Sequence, residues 1–169
     1  MALPSTLKNF LVFLDGNNYM GEAQEIALPK LTRKMEEYRG AGMGGSIELD
    51  QGMSVITLDA TYGGFMKDVF AKFGALQHDA VQMRYTGGYR REGEQKHDTV
   101  EIIARGRNKE VDMGSAKAGD TTQFKTTMTL TYYKLSLNGA VLYEIDVVNM
   151  IEKNGGGDLM SDLRSALGL

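Results

Sequence analysis

The 169-residue chain has two histidines, His78 and His97, and no cysteine. Both histidines lie in polar stretches, with no second His or Cys at ligand spacing, so neither marks a metal site. The absence of cysteine excludes disulfides, thiolate nucleophiles and cysteine–zinc sites. No G-x-S-x-G elbow frames a serine nucleophile. Glu36-Glu37 reads as a solvated face. Glu48 and Asp50 share one side of a predicted strand, but a lone carboxylate pair on a strand is usually exposed. The glycine-rich run Arg39–Ser46 resembles a phosphate loop only superficially: no Lys-Ser/Thr closes it and no apolar strand leads into it. No nucleophile, base and orienting partner occur together, so the reading is a non-enzyme without cofactor or metal.

The elements that would hold these residues are mostly strands. Glycine accounts for 21 residues and proline for two, against a usual glycine share of about 7%. That balance fits a β-rich fold with many turns better than a disordered chain. Strands are predicted over Phe10–Leu14, Gln24–Leu28, Leu31–Tyr38 (exposed), Ser46–Asp50, Met53–Tyr62, Val81–Tyr85 and Thr99–Arg105. Ile56, Leu58, Ala60 and Tyr62 alternate with Ser54, Thr57, Asp59 and Thr61, giving one wet face. TGGYRREGEQKH (residues 86–97) reads as a solvated connection, its basic residues offset by Glu92 and Glu94, and residues 109–119 as another polar connection.

A flanking helix is predicted over Phe65–Phe73, with Phe65, Met66, Val69, Phe70 and Phe73 on one stripe and Gly74 as its stop. A short C-terminal helix is predicted over 158–167, capped by Asp158, with Leu159, Met160, Leu163, Ala166 and Leu167 as its stripe. Such a helix needs a groove, its own or a neighbour's.

Thr126–Asn149 is the longest patterned stretch. Asn138-Gly139 suits a two-residue type I′ turn. A constant register then opposes Leu137 to Ala140, Leu135 to Leu142, Tyr132 to Ile145 and Leu130 to Val147. One face carries Met128, Leu130, Tyr132, Val141, Tyr143, Ile145 and Val147. The other carries Tyr133, Leu135, Leu137 and Leu142 towards the tip. Apolar side chains on both sides call for a second cover, which a neighbouring subunit would supply through those four residues.

The net charge is −3, which gives no general affinity for nucleic acid. No apolar run approaches the roughly 18–20 residues of a membrane span. The N-terminal stretch lacks the small-residue cleavage site of a signal peptide.

Several motifs in fixed order carry a resemblance. They are Asp15-Gly-Asn-Asn-Tyr19-Met-Gly21, Leu28-Pro-Lys-Leu-Thr-Arg-Lys34, Glu37-Tyr-Arg-Gly40 with Gly42-Met43, Arg105-Gly-Arg107, Lys109-Glu-Val-Asp112, Met128–Leu135, Glu144-Ile-Asp146 with Val148-Asn149, and terminal Leu167-Gly-Leu169. Together they resemble the major tail tube proteins of contractile-tailed bacteriophages, the family also used by R-type pyocins, over essentially the whole chain. The resemblance implies one domain over 1–169, a small antiparallel β-barrel or sandwich with a flanking helix. Hexameric rings would stack into a hollow inner tube in the virion tail, assembled in the host cytoplasm.

The resemblance makes residues 39–53 an extended inter-ring loop, with Tyr38, Arg39, Gly40, Gly42 and Met43 at the contact. It implies a tail sheath protein, a baseplate, and terminator and tape-measure proteins as partners, with DNA passing non-specifically if the particle is a phage. Thr57, Asp59, Thr129 and Thr131 are the candidate lumen residues. The competing reading is a monomeric β-barrel that binds a small ligand or peptide.

Overall fold

Asn138 and Gly139 have φ of 49° and 84°, and the tight turn they form joins the strands that organise the molecule. The computed structural model describes residues 3–169, in the order β1 (Ser5–Leu14), β2 (Asn17–Asn18), β3 (Ala23–Ala27), β4 (Arg33–Tyr38), β5 (Ile47–Met53), β6 (Ile56–Gly63), α1 (Lys67–Ala71), β7 (Val81–Arg91), β8 (Asp98–Asp112), β9 (Gln123–Leu137), β10 (Ala140–Asp146), β11 (Ile151–Asn154), β12 (Gly157–Asp158) and α2 (Ser161–Ala166). Ten strands form one antiparallel sheet in the order β12-β11-β10-β9-β8-β7-β1-β2. β6 joins it on the first half of β9, and β3 lies outside β6. β4 and β5 form a separate two-stranded sheet.

The sheet curls over a single buried cluster. Val12, Leu58, Tyr62, Met83, Ala104, Phe124 and Met128 belong to it, on strands from β1 to β9. A flat sheet could not bring those inner faces together. The sheet does not close into a barrel: among the described residues β2, β3 and β12 each keep a free edge.

Two one-residue bulges correct the predicted register of the long hairpin. Val141 opposes Ser136, but Tyr143, not Leu142, opposes Leu135. Leu142 is the extra residue. On the β8 side, Arg105 pairs with Tyr132 and Gly106 with Leu130, leaving Thr131 extra. One inserted residue exchanges the two faces of a strand. Tyr133, expected on the outer face, is therefore 3% exposed within the protomer's own core and pairs with buried Ile145. Val141 and Val147, expected inside, are exposed.

Several strands run further than the sequence suggests. β7 takes in residues 86–91 of the first predicted connection and β8 residues 109–112 of the second, leaving residues 92–97 between the two strands. Residues 47–53 are strand, so the glycine-rich loop is confined to 39–46 and its predicted extent to 53 is too long. The flanking helix shrinks to Lys67–Ala71. Met66 and Val69 are buried, whereas Phe65, Phe70 and Phe73 stay largely exposed. Phe65 and Phe70 stack on each other and meet buried Phe124 edge-on, so they roof the core from outside.

Candidate assembly surfaces

The β4–β5 arm is built by local pairing. Tyr38 opposes Ile47, Glu36 opposes Leu49, Glu37 opposes Glu48 and Met35 opposes Asp50. Opposed residues share a face. One face therefore carries Tyr38, Ile47 and Leu49 beside Glu36, and the other carries Glu37, Glu48 and Asp50. Tyr38, Ile47 and Leu49 are 52%, 49% and 40% exposed. Neither Glu37 nor Glu48 forms an ion pair among the described residues. Two like charges directly opposed destabilise a strand pair, and a lone hairpin is marginally stable in water.

The tip of the arm is organised. The Met43 N–H donates to the Gly40 carbonyl at 3.3 Å, and the Gly40 N–H reaches the Met43 sulfur at 3.0 Å. Met43 is half-buried against its own loop, with Tyr38 alongside Gly40. The predicted inter-ring residues Tyr38, Arg39, Gly40, Gly42 and Met43 thus lie together at one end of an arm exposed along most of its length.

The arm is tied to the body at its base. Arg33 Nε donates to Asp50 Oδ2 at 2.8 Å with Nη2 in ion-pair contact with the same oxygen at 2.7 Å, and Arg33 Nη1 donates to Glu152 Oε1 at 2.5 Å. The Tyr143 hydroxyl donates to the same Glu152 oxygen at 2.5 Å. Glu152 is 2% exposed. The Arg33 guanidinium and the Gly52 N–H hold the Asp50 carboxyl below the usual carboxylate range. Burial, followed by the bond to Glu152, pushes the Tyr143 phenol up to about 12. Sequence reasoning missed this group. Arg33 and Glu152 are 119 positions apart, and the Leu28–Lys34 motif that contains Arg33 does not point to its partner.

The four predicted hairpin-tip residues separate. Tyr133 belongs to the core, so it is unavailable to a neighbour. Leu135 is partly buried against that core, Leu137 is half-buried, and Leu142 stands out at 45% exposure. The predicted lumen residues fall on the outer face of the β6–β9 pair. Thr57 opposes Thr129 and Asp59 opposes Thr127, whose hydroxyl donates to Asp59 at 2.5 Å. Thr131, the bulge residue, turns its hydroxyl towards the His78 and Arg105 carbonyls at 3.4 and 3.5 Å. Nearby, Glu25, Asp59, Glu110 and Asp112 surround Lys125 in a shallow hollow.

The C-terminal helix is shorter than predicted and starts at Ser161. Asp158 precedes it: its carboxylate accepts the Met160 N–H at 3.0 Å and pairs with Arg164 at 2.6 Å. Leu159, Leu163 and Leu167 remain about half exposed. Leu163 and Met160 edge a small hollow with Met53, Val147, Met150 and Ile151.

Free strand edges, an arm exposed on both faces and a half-exposed helix stripe are the surfaces that the described residues leave uncovered, the surfaces of a structural protein. The family model of phage tail tube protein FII matches residues 4–168, and the chain belongs to that family. It is 42% identical to the tail tube protein of Escherichia phage P2, over 100% of both chains. It is 39% identical to the major tail tube protein of Serratia phage KSP20, over 100% of this chain and 99% of that one. In fold it is similar to the sheath/tube terminator of PVC, an extracellular contractile injection system, in the extended state. That match has a TM-score of 0.60 and 12% identity, covering 79% of this chain and 96% of that chain. The chain is a structural tube component, which points to a non-enzymatic role. No helix among the described residues is long and apolar enough to cross a membrane.

Proposed function

We propose that six copies close into a ring and that rings stack into the hollow inner tube of a contractile tail. The observation that carries this reading is the β4–β5 arm, which among the described residues pairs with no other strand and is exposed on both faces. An arm of six or seven residues per strand reaches about 20 Å beyond its base. It spans to the next ring and docks there through Tyr38, Arg39, Gly40, Gly42 and Met43. Leu135, Leu137 and Leu142, with the free edges of the sheet, make contacts within the ring.

Each contact of this kind contributes modestly, on the order of 1.5–3 kcal/mol for a fully buried Leu or Tyr side chain. Ring closure makes later contacts effectively intramolecular. Head-to-tail stacking has no built-in stop, so a tape-measure protein and a terminator set the length, a baseplate starts growth, and a sheath surrounds the tube. The tube belongs to the virion tail and is assembled in the host cytoplasm.

The tail tube names of its phage relatives favour a DNA conduit over a piercing tube. The outer face of β6 and β9, with Thr57, Asp59, Thr129 and Thr131, lines the channel. Its carboxylates outnumber Lys125, and such a wall repels phosphate instead of holding it.

Negative-stain electron microscopy over a concentration series tests this. Rings or hollow tubes of uniform width are the expected result. Monomers at every concentration, even with a purified baseplate added as nucleus, would overturn it.

A further inference from the structure

The arm leaves the body through a narrow joint. Among the described residues β4 and β5 pair only with each other, and their base is closed by a backbone bond from the Ser54 N–H to the Thr32 carbonyl at 2.8 Å. We infer that Arg33 is the positioning residue of this arm, clamping Asp50 on the arm to buried Glu152 on β11 and so fixing the direction in which the arm projects. The inference rests on the assembly role proposed above for the arm.

The physical argument starts from Glu152. A buried carboxylate is costly to desolvate, and replacing a buried ion pair by apolar residues is often neutral or stabilising. Stability alone gives little reason for a charge at 2% exposure. Direction does. An apolar seat such as Met53 on the core is non-directional, and it leaves the arm free to swivel. A guanidinium is planar, and its donors point along fixed axes. Here one edge, Nε and Nη2, is spent on the exposed arm carboxylate, and Nη1 on the buried one. Tyr143 holds the Glu152 oxygen from the β10 side. The plane of Arg33 thus relates the arm to the β10–β11 pair, and any swivel breaks one set of bonds. In a stacked assembly, an arm pre-aimed at its seat loses less conformational freedom on docking than a free one.

The chain has no cysteine, so two introduced cysteines report the arm's direction cleanly. Ala41→Cys at the tip and Lys153→Cys on the body would carry spin labels in protein diluted to monomer. The distance distribution would be measured in three backgrounds: unchanged, Asp50→Asn, and Arg33→Met with Glu152→Met. A distribution at least twice as wide in both variants is expected, with the melting temperature of Asp50→Asn unchanged and tube yield down at least tenfold. An unchanged width in both overturns the inference. A widened distribution with undiminished tubes keeps Arg33 as the joint and overturns the inter-ring role of the arm instead. Should the double variant fail to fold, Asp50→Asn decides alone, because Asp50 lies on the exposed arm.

Discussion

Gly106 sits where β8 passes the Thr131 bulge of β9. A Cβ there would overlap the Thr129 carbonyl oxygen and lie 3.0 Å from the Leu130 Cα. Both are backbone atoms and cannot rotate away. Gly106→Ala is expected to lower stability by about 2 kcal/mol or more, read from the urea midpoint of the monomer. The tyrosines make a second prediction at this scale. Burial comes first in raising Tyr19, Tyr132 and Tyr143 to about 12, helped by hydrogen bonds to Asp68, Glu144 and Glu152 respectively. Burial raises Tyr62 and Tyr85 further. The folded state therefore holds phenolic protons more tightly than the unfolded chain, whose tyrosines titrate near pH 10. The linked stability is complete below about pH 10 and is lost as pH rises towards about 12. Denaturant midpoints across that window, with phenolate absorbance followed in parallel, check the sign.

At the scale of elements, the arm and the C-terminal helix behave as attachments to a finished core. The Met43 sulfur accepts the Gly40 N–H within its own loop. Met43→Asp should leave the monomer's melting temperature unchanged while reducing tube yield at least tenfold in electron micrographs. Leu142 is a bulge residue outside the core, so Leu142→Lys should weaken ring formation with little change in monomer stability. Mass photometry on dilute samples separates the two effects. The helix α2 is held by the Asp158–Arg164 pair. That guanidinium, with the Met160 N–H, keeps the Asp158 carboxyl below its ordinary value. A depressed folded value means the link is intact above the ordinary carboxylate range and is lost as pH falls through the depressed one. The Met160 amide resonance should report that loss in an acid titration, ahead of any change in core signals.

At the scale of the whole molecule, the open sheet is the main fact. A ten-stranded sheet that curls without closing leaves backbone donors and acceptors on its edges, and such edges invite pairing with another chain. The exposed aromatics beside α1, the bare arm and the half-covered α2 stripe add apolar surface on several sides. Surfaces distributed in this way suit a subunit with neighbours within its ring and in the rings above and below. They suit a monomeric ligand-binding barrel poorly, because that reading needs a closed sheet around its ligand.

The sequence by itself determined the strand-rich class, the Asn138-Gly139 turn, the wet and dry faces of β6, the exposed strand within 31–38, and membership of the tube family through ordered motifs. These signals are local: alternation, turn chemistry and glycine placement act over a few residues. Only the tertiary structure decided which side chains of the long hairpin were buried, because the bulges at Thr131 and Leu142 depend on partners in β8 and β9, and each exchanges the two faces. It alone set the true lengths of β7 and β8, whose polar ends are stabilised by pairing despite their composition. It shortened both helices, since a stripe at helical spacing does not state how much of it the core will cover. It alone joined Arg33 to Glu152 and Tyr143, because contact across 119 positions follows from the path of the whole chain and leaves no trace in local spacing.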